Sequence, residues 1–212
     1  MTGLIIANGT MLKRKHAREI AAHSDVIVCA DGGANSARSL GIRPDVILGD
    51  LDSITALTRK FFRAVPLLSI EDQNSTDMEK AIDYCLQRCI TSVDVIGGTG
   101  DRIDHTTGNL GCFKKFGDRM RLRFIDTVGV LTQIHDSTRF SAELGEKLSL
   151  IPLDRCSGVT TVNLKYRLTN DILELGVREG ISNEAVGKKV SITLRRGTLL
   201  LYRFHRDKYL SR

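Results

Sequence analysis

Val26-Ile27-Val28-Cys29-Ala30-Asp31-Gly32-Gly33-Ala34-Asn35 decides the fold class. Five consecutive apolar residues stop at an acidic residue and two glycines. A short continuous apolar run bounded in this way reads as a strand buried on both faces. Similar runs occur at Leu4-Ile5-Ile6-Ala7, Val46-Ile47-Leu48, Pro66-Leu67-Leu68, Val93-Asp94-Val95-Ile96 and Leu122-Arg123-Phe124-Ile125. Helical periods fill the gaps. The clearest is Met78, Ala81, Ile82, Cys85, Leu86 and Cys89, one apolar face at helical spacing. Thr76 with Glu79 three residues on forms a capping box and predicts the helix start. Strand alternating with helix predicts an α/β fold, a mostly parallel sheet with flanking helices.

Past residue 126 the pattern changes. Leu148-Ser149-Leu150 and Val190-Ser191-Ile192-Thr193-Leu194 alternate with period two, and glycines punctuate the chain at turn-like intervals. Arg195-Arg196-Gly197 reads as a hairpin turn between Leu194 and Leu199. A second domain is expected, a C-terminal antiparallel β-sandwich, giving domains at 1–127 and 128–212.

Length and composition fit this. The 212 residues suffice for one large domain or two small ones, with 42% hydrophobic and 26% charged residues. The net charge of +6 is spread along the chain, with no Lys/Arg tract and 5% aromatics. That excludes a row of stacking side chains for nucleic acid and suits an anionic small molecule. No apolar run approaches the ~20 residues of a membrane helix, and Met1-Thr2-Gly3-Leu4 has no basic leader. The five cysteines include no Cys-x-x-Cys pair, so they read as free thiols of a cytoplasmic protein rather than a zinc site. His16, His23, His135 and His205 read as surface or packing residues.

In a parallel sheet the ligand crevice lies outside the carboxyl ends of the strands. Three predicted strands end in Asp31-Gly32-Gly33, Gly49-Asp50-Leu51-Asp52-Ser53 and Gly97-Gly98-Thr99-Gly100-Asp101-Arg102-Ile103-Asp104-His105, and Asp72-Gln73-Asn74-Ser75-Thr76-Asp77 precedes the capped helix. Asp31, Asp50, Asp52, Asp77 and Asp104 therefore gather on one rim. Each has a bland reading, as turn residue or helix-dipole partner. Together they repel unless a cation lies among them. An extended Asp50-x-Asp52 points both carboxylates to one side. A hard divalent cation held by carboxylates and substrate phosphates, commonly Mg2+, answers the repulsion. Glycine-rich loops admit phosphates to backbone N–H groups, and Lys80, Arg102 and His105 add positive charge or proton transfer. The residues thus point to a magnesium-dependent site for a nucleotide, although the usual P-loop and dinucleotide glycine motifs are absent.

Four segments in order, Ala30–Asn35, Gly41–Ser53, Asp72–Ala81 and Gly97–Leu110, resemble the thiamine pyrophosphokinase family. The resemblance implies an N-terminal α/β domain, a C-terminal β-sandwich and a homodimer with thiamine near the subunit interface. It implies transfer of pyrophosphate from ATP to thiamine, giving thiamine diphosphate and AMP. It makes Asp50, Asp52 and Asp77 the metal site, with Asp31 holding the metal or orienting the nucleophile. Asp104 joins these catalytic carboxylates. Gly32, Gly33, Gln73, Thr76, Lys80, Gly97, Gly98, Arg102 and His105 would bind ATP, and Ser182 and Asn183 would reach thiamine. Glu184-Ala185 stand where some members carry a tryptophan, and the chain has none. Three rivals differ in chemistry: a pyrophosphokinase acting on a pterin, a magnesium-dependent phosphatase using Asp50-x-Asp52, and a nucleic-acid binder suggested by the basic charge.

Overall fold

The computed structural model describes residues 1–100 and 102–204; Asp101 and His205 of the sequence reading lie outside the described residues. The chain divides into two compact units, one spanning Met1–Thr127 and one beginning at Val128.

In the first unit the apolar runs become β1 (Thr2–Ile6), β2 (Val26–Ala30), β3 (Val46–Gly49), β4 (Leu67–Ser69), β5 (Ser92–Ile96) and β6 (Arg121–Ile125). They alternate with α1 (Arg14–Ala22), α2 (Gly33–Leu40), α3 (Ala56–Phe61), α4 (Asp77–Gln87) and α5 (Ile103–Phe116). The sheet order is β4-β3-β2-β1-β5-β6, with every neighbouring pair parallel. The chain steps outward from β1 to β4. Helix α4 then returns it, packing on β1, β2 and β3 and against α5 before β5 forms on the other side of β1. The direction of winding thus reverses between β1 and β5, which is where ligand crevices of such sheets open. Helix α4 starts as predicted: Glu79 N donates to Thr76 Oγ1 at 3.3 Å and Thr76 N donates to Glu79 Oε2 at 3.1 Å. It buries Met78, Ala81, Ile82 and Cys85.

Two expectations for this unit need correction. Strand β4 is the sheet's edge, and Leu67 and Leu68 are 41% and 38% exposed rather than buried on both faces. Cys89 lies past the helix cap at Arg88, exposed and with φ +59°, so it does not share the apolar face of Cys85. The other four thiols are buried and free, and burial pushes Cys85 and Cys112 up to about 12.

The second unit comprises β7 (Gly129–Ile134), β8 (Ser137–Ser141), β9 (Lys147–Pro152), β10 (Cys156–Val162), β11 (Asp171–Leu173), β12 (Gly180–Glu184), β13 (Lys189–Thr193) and β14 (Leu199–Phe204). Two antiparallel layers form, β12-β9-β14-β7 and β11-β10-β13-β8. Leu148, Leu150 and Leu199 of one layer share a core with Val159, Leu173 and Ile192 of the other, as period-two strands require. The predicted hairpin at Arg195-Arg196-Gly197 is not one. Strand β13 pairs with β8 and β10, whereas β14 pairs with β7 and β9. The segment passes from one layer to the other, pinned where Arg195 N donates to Ser157 O and Ser157 N to Arg196 O.

This unit also buries charge. Arg203 places Nε and Nη2 at 2.9 and 2.7 Å from Oε1 of Glu146, which is 2% exposed, and lies over the Phe140 ring. Removing the guanidinium breaks this buried ion pair, a loss of about 3 kcal/mol. Arg203→Met is therefore expected to lower the midpoint of chemical unfolding markedly, whereas Lys165→Met, at an exposed partner of Glu184, should leave it within experimental error.

Candidate active site

Asp31 follows β2, Asp50 follows β3 and Asp77 is the first residue of α4. The sheet and the long α4 crossover bring these distant residues together. One carboxylate oxygen of each lies within 4.8 Å of the others. Gly49 makes the convergence possible. A Cβ there would stand 2.8 Å from Asp77 Oδ1 and 3.0 Å from Asp31 Cβ, and its φ of +139° disfavours any side chain. Gly49 stood in the motif Gly49-Asp50-Leu51-Asp52-Ser53 without being named a site residue; its place between a strand and an acidic residue was the signal for it. Asp31 itself has φ +40°, a conformation costly for a non-glycine residue, and is held by Asp31 N donating to Leu48 O at 2.8 Å.

The Asp-x-Asp segment is not extended. Leu51 has φ +64°, and Asp52 N donates to Asp50 Oδ1 at 3.2 Å, closing a turn. Asp50 is thereby aimed at Asp31 and Asp77. Asp52 accepts from Ser53 Oγ at 2.9 Å and lines the same cavity, but is not in the group of three. The buried Lys80 sets Nζ 3.2 Å from Asp77 Oδ1. Burial raises the Asp77 carboxyl above its usual range, opposed by Lys80 and reinforced by the charges of Asp50 and Asp31. Three hard oxygen donors whose mutual repulsion is only partly met by one ammonium fit a magnesium-type cation.

A cavity of about 740 Å³ opens over these residues. Asp52, Gln73, Thr76 and Lys80 line it together with Gly32, Gly97, Gly98, Arg102, Asp104 and His105. Gly33 does not line it. A Cβ at Gly33 would meet Ile6 O at 2.0 Å, so this glycine lets α2 pack on β1. Arg102 grips Asp104 through Nε at 2.9 Å and Nη2 at 2.5 Å, and that bidentate pairing holds the Asp104 carboxyl well below its usual range. Asp104 is thereby engaged with Arg102 instead of the carboxylate trio. Asp72 accepts from Asn74 N at 2.9 Å and Ser75 Oγ at 2.5 Å, shaping the loop that carries Gln73. Asn8 and Thr10, from the loop after β1, also line the cavity; they belong to no motif, and only their place after the first strand could have marked them.

Ser182 and Asn183 belong to β12 of the second unit. Ser182 is exposed with φ +58°. Asn183 is 2% exposed, and its carboxamide accepts from Tyr166 N at 3.0 Å and Glu184 N at 2.8 Å while donating to Tyr166 O at 2.9 Å.

A parallel sheet with acidic residues and a glycine-rich, arginine-bearing loop at its carboxyl edge defines a nucleotide-handling α/β protein joined to a β-sandwich. Comparison with known families narrows this. The family described as "Thiamin pyrophosphokinase, catalytic domain" matches residues 17–124, and "Thiamin pyrophosphokinase, vitamin B1 binding domain" matches residues 133–199. Thiamine pyrophosphokinase of Bacillus subtilis is 29% identical over 181 residues, covering 82% of this chain and 84% of its own. Thiamine pyrophosphokinase 1 of Arabidopsis thaliana is 30% identical over 199 residues, covering 80% and 74%. The solved thiamin pyrophosphokinase of Candida albicans superposes with a TM-score of 0.86 at 18% identity, covering 96% of this chain and 89% of its own, and so shares the fold. The chain belongs to the thiamine pyrophosphokinase family.

Proposed function

We propose that the protein transfers a pyrophosphoryl group from ATP to thiamine, releasing AMP and thiamine diphosphate. The observation that carries this is the Asp31–Asp50–Asp77 convergence beneath a cavity shared with Lys80 and Arg102, in a chain matched by both family domains. The thiamine hydroxyl attacks the β-phosphorus, the bond from that phosphorus to the bridging oxygen of AMP breaks, and the hydroxyl proton is lost. Little of this requires covalent help from the protein, so positioning and charge stabilisation carry the rate. Asp31, Asp50 and Asp77 would hold Mg2+, which supplies charge neutralisation at the phosphate oxygens. Lys80 sets its ammonium 3.2 Å from Asp77 Oδ1 and would add positive charge beside the phosphates. Arg102 also lines the cavity and would contact the phosphates, with Asp104 as a positioning residue that holds its guanidinium.

The acceptor is assigned to the second unit. Ser182 offers an exposed hydroxyl. The buried Asn183 ties Tyr166 to β12 and orients that region from within. Leu175, Val177 and Ile181, 70%, 75% and 54% exposed, lie near Ser182 in the sequence and support a subunit surface there, in keeping with a homodimer. Five free cysteines, four of them buried, support a cytoplasmic protein; among the described residues no helix is long and apolar enough to cross a membrane.

The test is turnover of ATP by the purified protein with magnesium. AMP should appear in step with thiamine diphosphate and only when thiamine is added. Release of inorganic phosphate from a monoester would favour the phosphatase, and AMP formation with a hydroxymethyl pterin but not thiamine would move the acceptor.

A further inference from the structure

The loop that follows β1 stands where the sheet's winding reverses. Strand β1 is hydrogen-bonded to β2 on one side and β5 on the other. Its continuation, Asn8-Gly9-Thr10, therefore lies between the acidic residues that follow β2 and β3 and the glycine-rich loop that follows β5. Two hydrogen bonds clamp it there: Gly9 N donates to Gly97 O and Thr10 N donates to Thr99 O, both at 2.8 Å. On the facing loop Gly100 N is taken by Thr106 Oγ1 at 3.2 Å. These main-chain donors are thus occupied in fixing the crevice wall.

The side chain of Asn8 is different. It is exposed and lines the cavity, and its carboxamide makes no hydrogen bond to any described residue. It is nonetheless well placed. A Cβ at Gly32 would stand 2.5 Å from Asn8 Nδ2, 2.6 Å from Cγ and 2.9 Å from Oδ1, so the amide occupies the space that a side chain at this position would fill. Gly32 serves as a platform for Asn8, one residue from Asp31. A carboxamide brings two N–H donors and no charge. Beside three carboxylates such a neutral donor can bind an anionic oxygen without repelling it and without drawing the carboxylates away from a cation.

We infer that Asn8 binds the polyphosphate of the nucleotide, donating Nδ2–H to a phosphate oxygen at the crevice between β1 and β5. The inference rests on the nucleotide reading of this cavity and assigns a residue that reading does not contain. Asn8 distinguishes a triphosphate from a monophosphate, because it lines the cavity together with Asp31, Asp50 and Asp77 and with Gly97, Gly98 and Gly100 of the glycine-rich loop, where a polyphosphate rather than a single phosphate can span them.

The experiment is calorimetric titration with α,β-methylene-ATP and with AMP, in magnesium, on the wild type, Asn8→Ala and Asn8→Asp. Asn8→Ala should weaken the triphosphate analogue about tenfold or more, the scale of one hydrogen bond to a charged group, and leave AMP within twofold. Asn8→Asp should weaken the analogue further, since it sets a fourth carboxylate against the phosphates. Thermal unfolding midpoints equal to the wild type show that both variants fold, and Asn8→Ser provides a third variant. Variants that bind the analogue within twofold of the wild type overturn the assignment of Asn8 alone. Equal losses for AMP and the analogue also overturn it, because the contact would then lie with adenosine. A wild type that binds no triphosphate analogue overturns the nucleotide reading and this inference together.

Discussion

Asp77→Asn is expected to lower kcat about a thousandfold while the apo protein unfolds no more readily than the wild type. Asparagine keeps the side chain's size and an oxygen for Lys80 Nζ, which lies 3.2 Å from Asp77 Oδ1. What it removes is one of three converging carboxylates, and if these hold Mg2+ as proposed, losing one costs about 4 kcal/mol of transition-state stabilisation. The stability half follows from the sign of the pKa shift. Burial first, and then the charges of Asp50 and Asp31, raise the folded-state pKa of Asp77 despite Lys80. The folded apo protein thus holds that proton more tightly than the unfolded chain, so its stability falls as pH rises through the folded pKa. The asparagine variant lacks this loss. Steady-state kinetics and melting curves with and without magnesium check both halves: magnesium should raise the wild-type midpoint and leave the variant's nearly unchanged. A variant that keeps near-normal magnesium-dependent turnover removes Asp77 from the metal site.

Gly49→Ala should damage both stability and activity, although it adds one methyl group to a residue that carries no chemistry. Its backbone has φ +139°, and the new Cβ would lie 2.8 Å from Asp77 Oδ1 and 3.0 Å from Asp31 Cβ. Backbone strain alone costs about 1–3 kcal/mol. Relief of the contact must push apart two of the three carboxylates, and a displacement of about 1 Å at a reacting centre costs on the order of a hundredfold in rate. The comparison is Gly41→Ala, where φ is +70° and nothing lies within 4 Å of the added Cβ. Gly41→Ala should lose stability and keep kcat. Equal kcat losses in the two variants would show that the effect is general strain rather than crowding of the carboxylates.

Much of the candidate site was legible because local rules place it. Four of the six apolar runs stop at an acidic residue or a glycine (Asp31, Gly49, Gly97 and Asp126), and parallel strands put those stops on one edge. Thr76 and Glu79 fixed the start of α4 to the residue, since a capping box is satisfied within four positions. The errors occur where the decisive partner is distant. Period-two patterning around Arg195–Gly197 describes two strands and a turn, but whether the strands pair depends on the layer each joins. The turn at Asp50–Asp52 hinges on Leu51 entering the left-handed region, which no alternation pattern encodes. The partners of Asn183 were equally out of reach of local rules: its carboxamide accepts from Tyr166 N and donates to Tyr166 O, seventeen residues away.

The sequence by itself determined the classes of element, their order, the change from parallel to antiparallel architecture near residue 127 and most, though not Asn8 and Thr10, of the polar residues that ring the crevice. These follow from apolar periodicity, capping and glycine placement, which act over a few residues. Only the tertiary structure decided which carboxylates meet. Asp31 meets Asp50 and Asp77, and Asp52 does not, because the chain turns at Leu51 and because the segment after β4 brings Asp77, the first residue of α4, to the residues that follow β2 and β3. It likewise decided that Asn8, in no motif, stands at the reversal of the sheet, since that position is created by which strands become neighbours of β1 and not by the residues around Asn8.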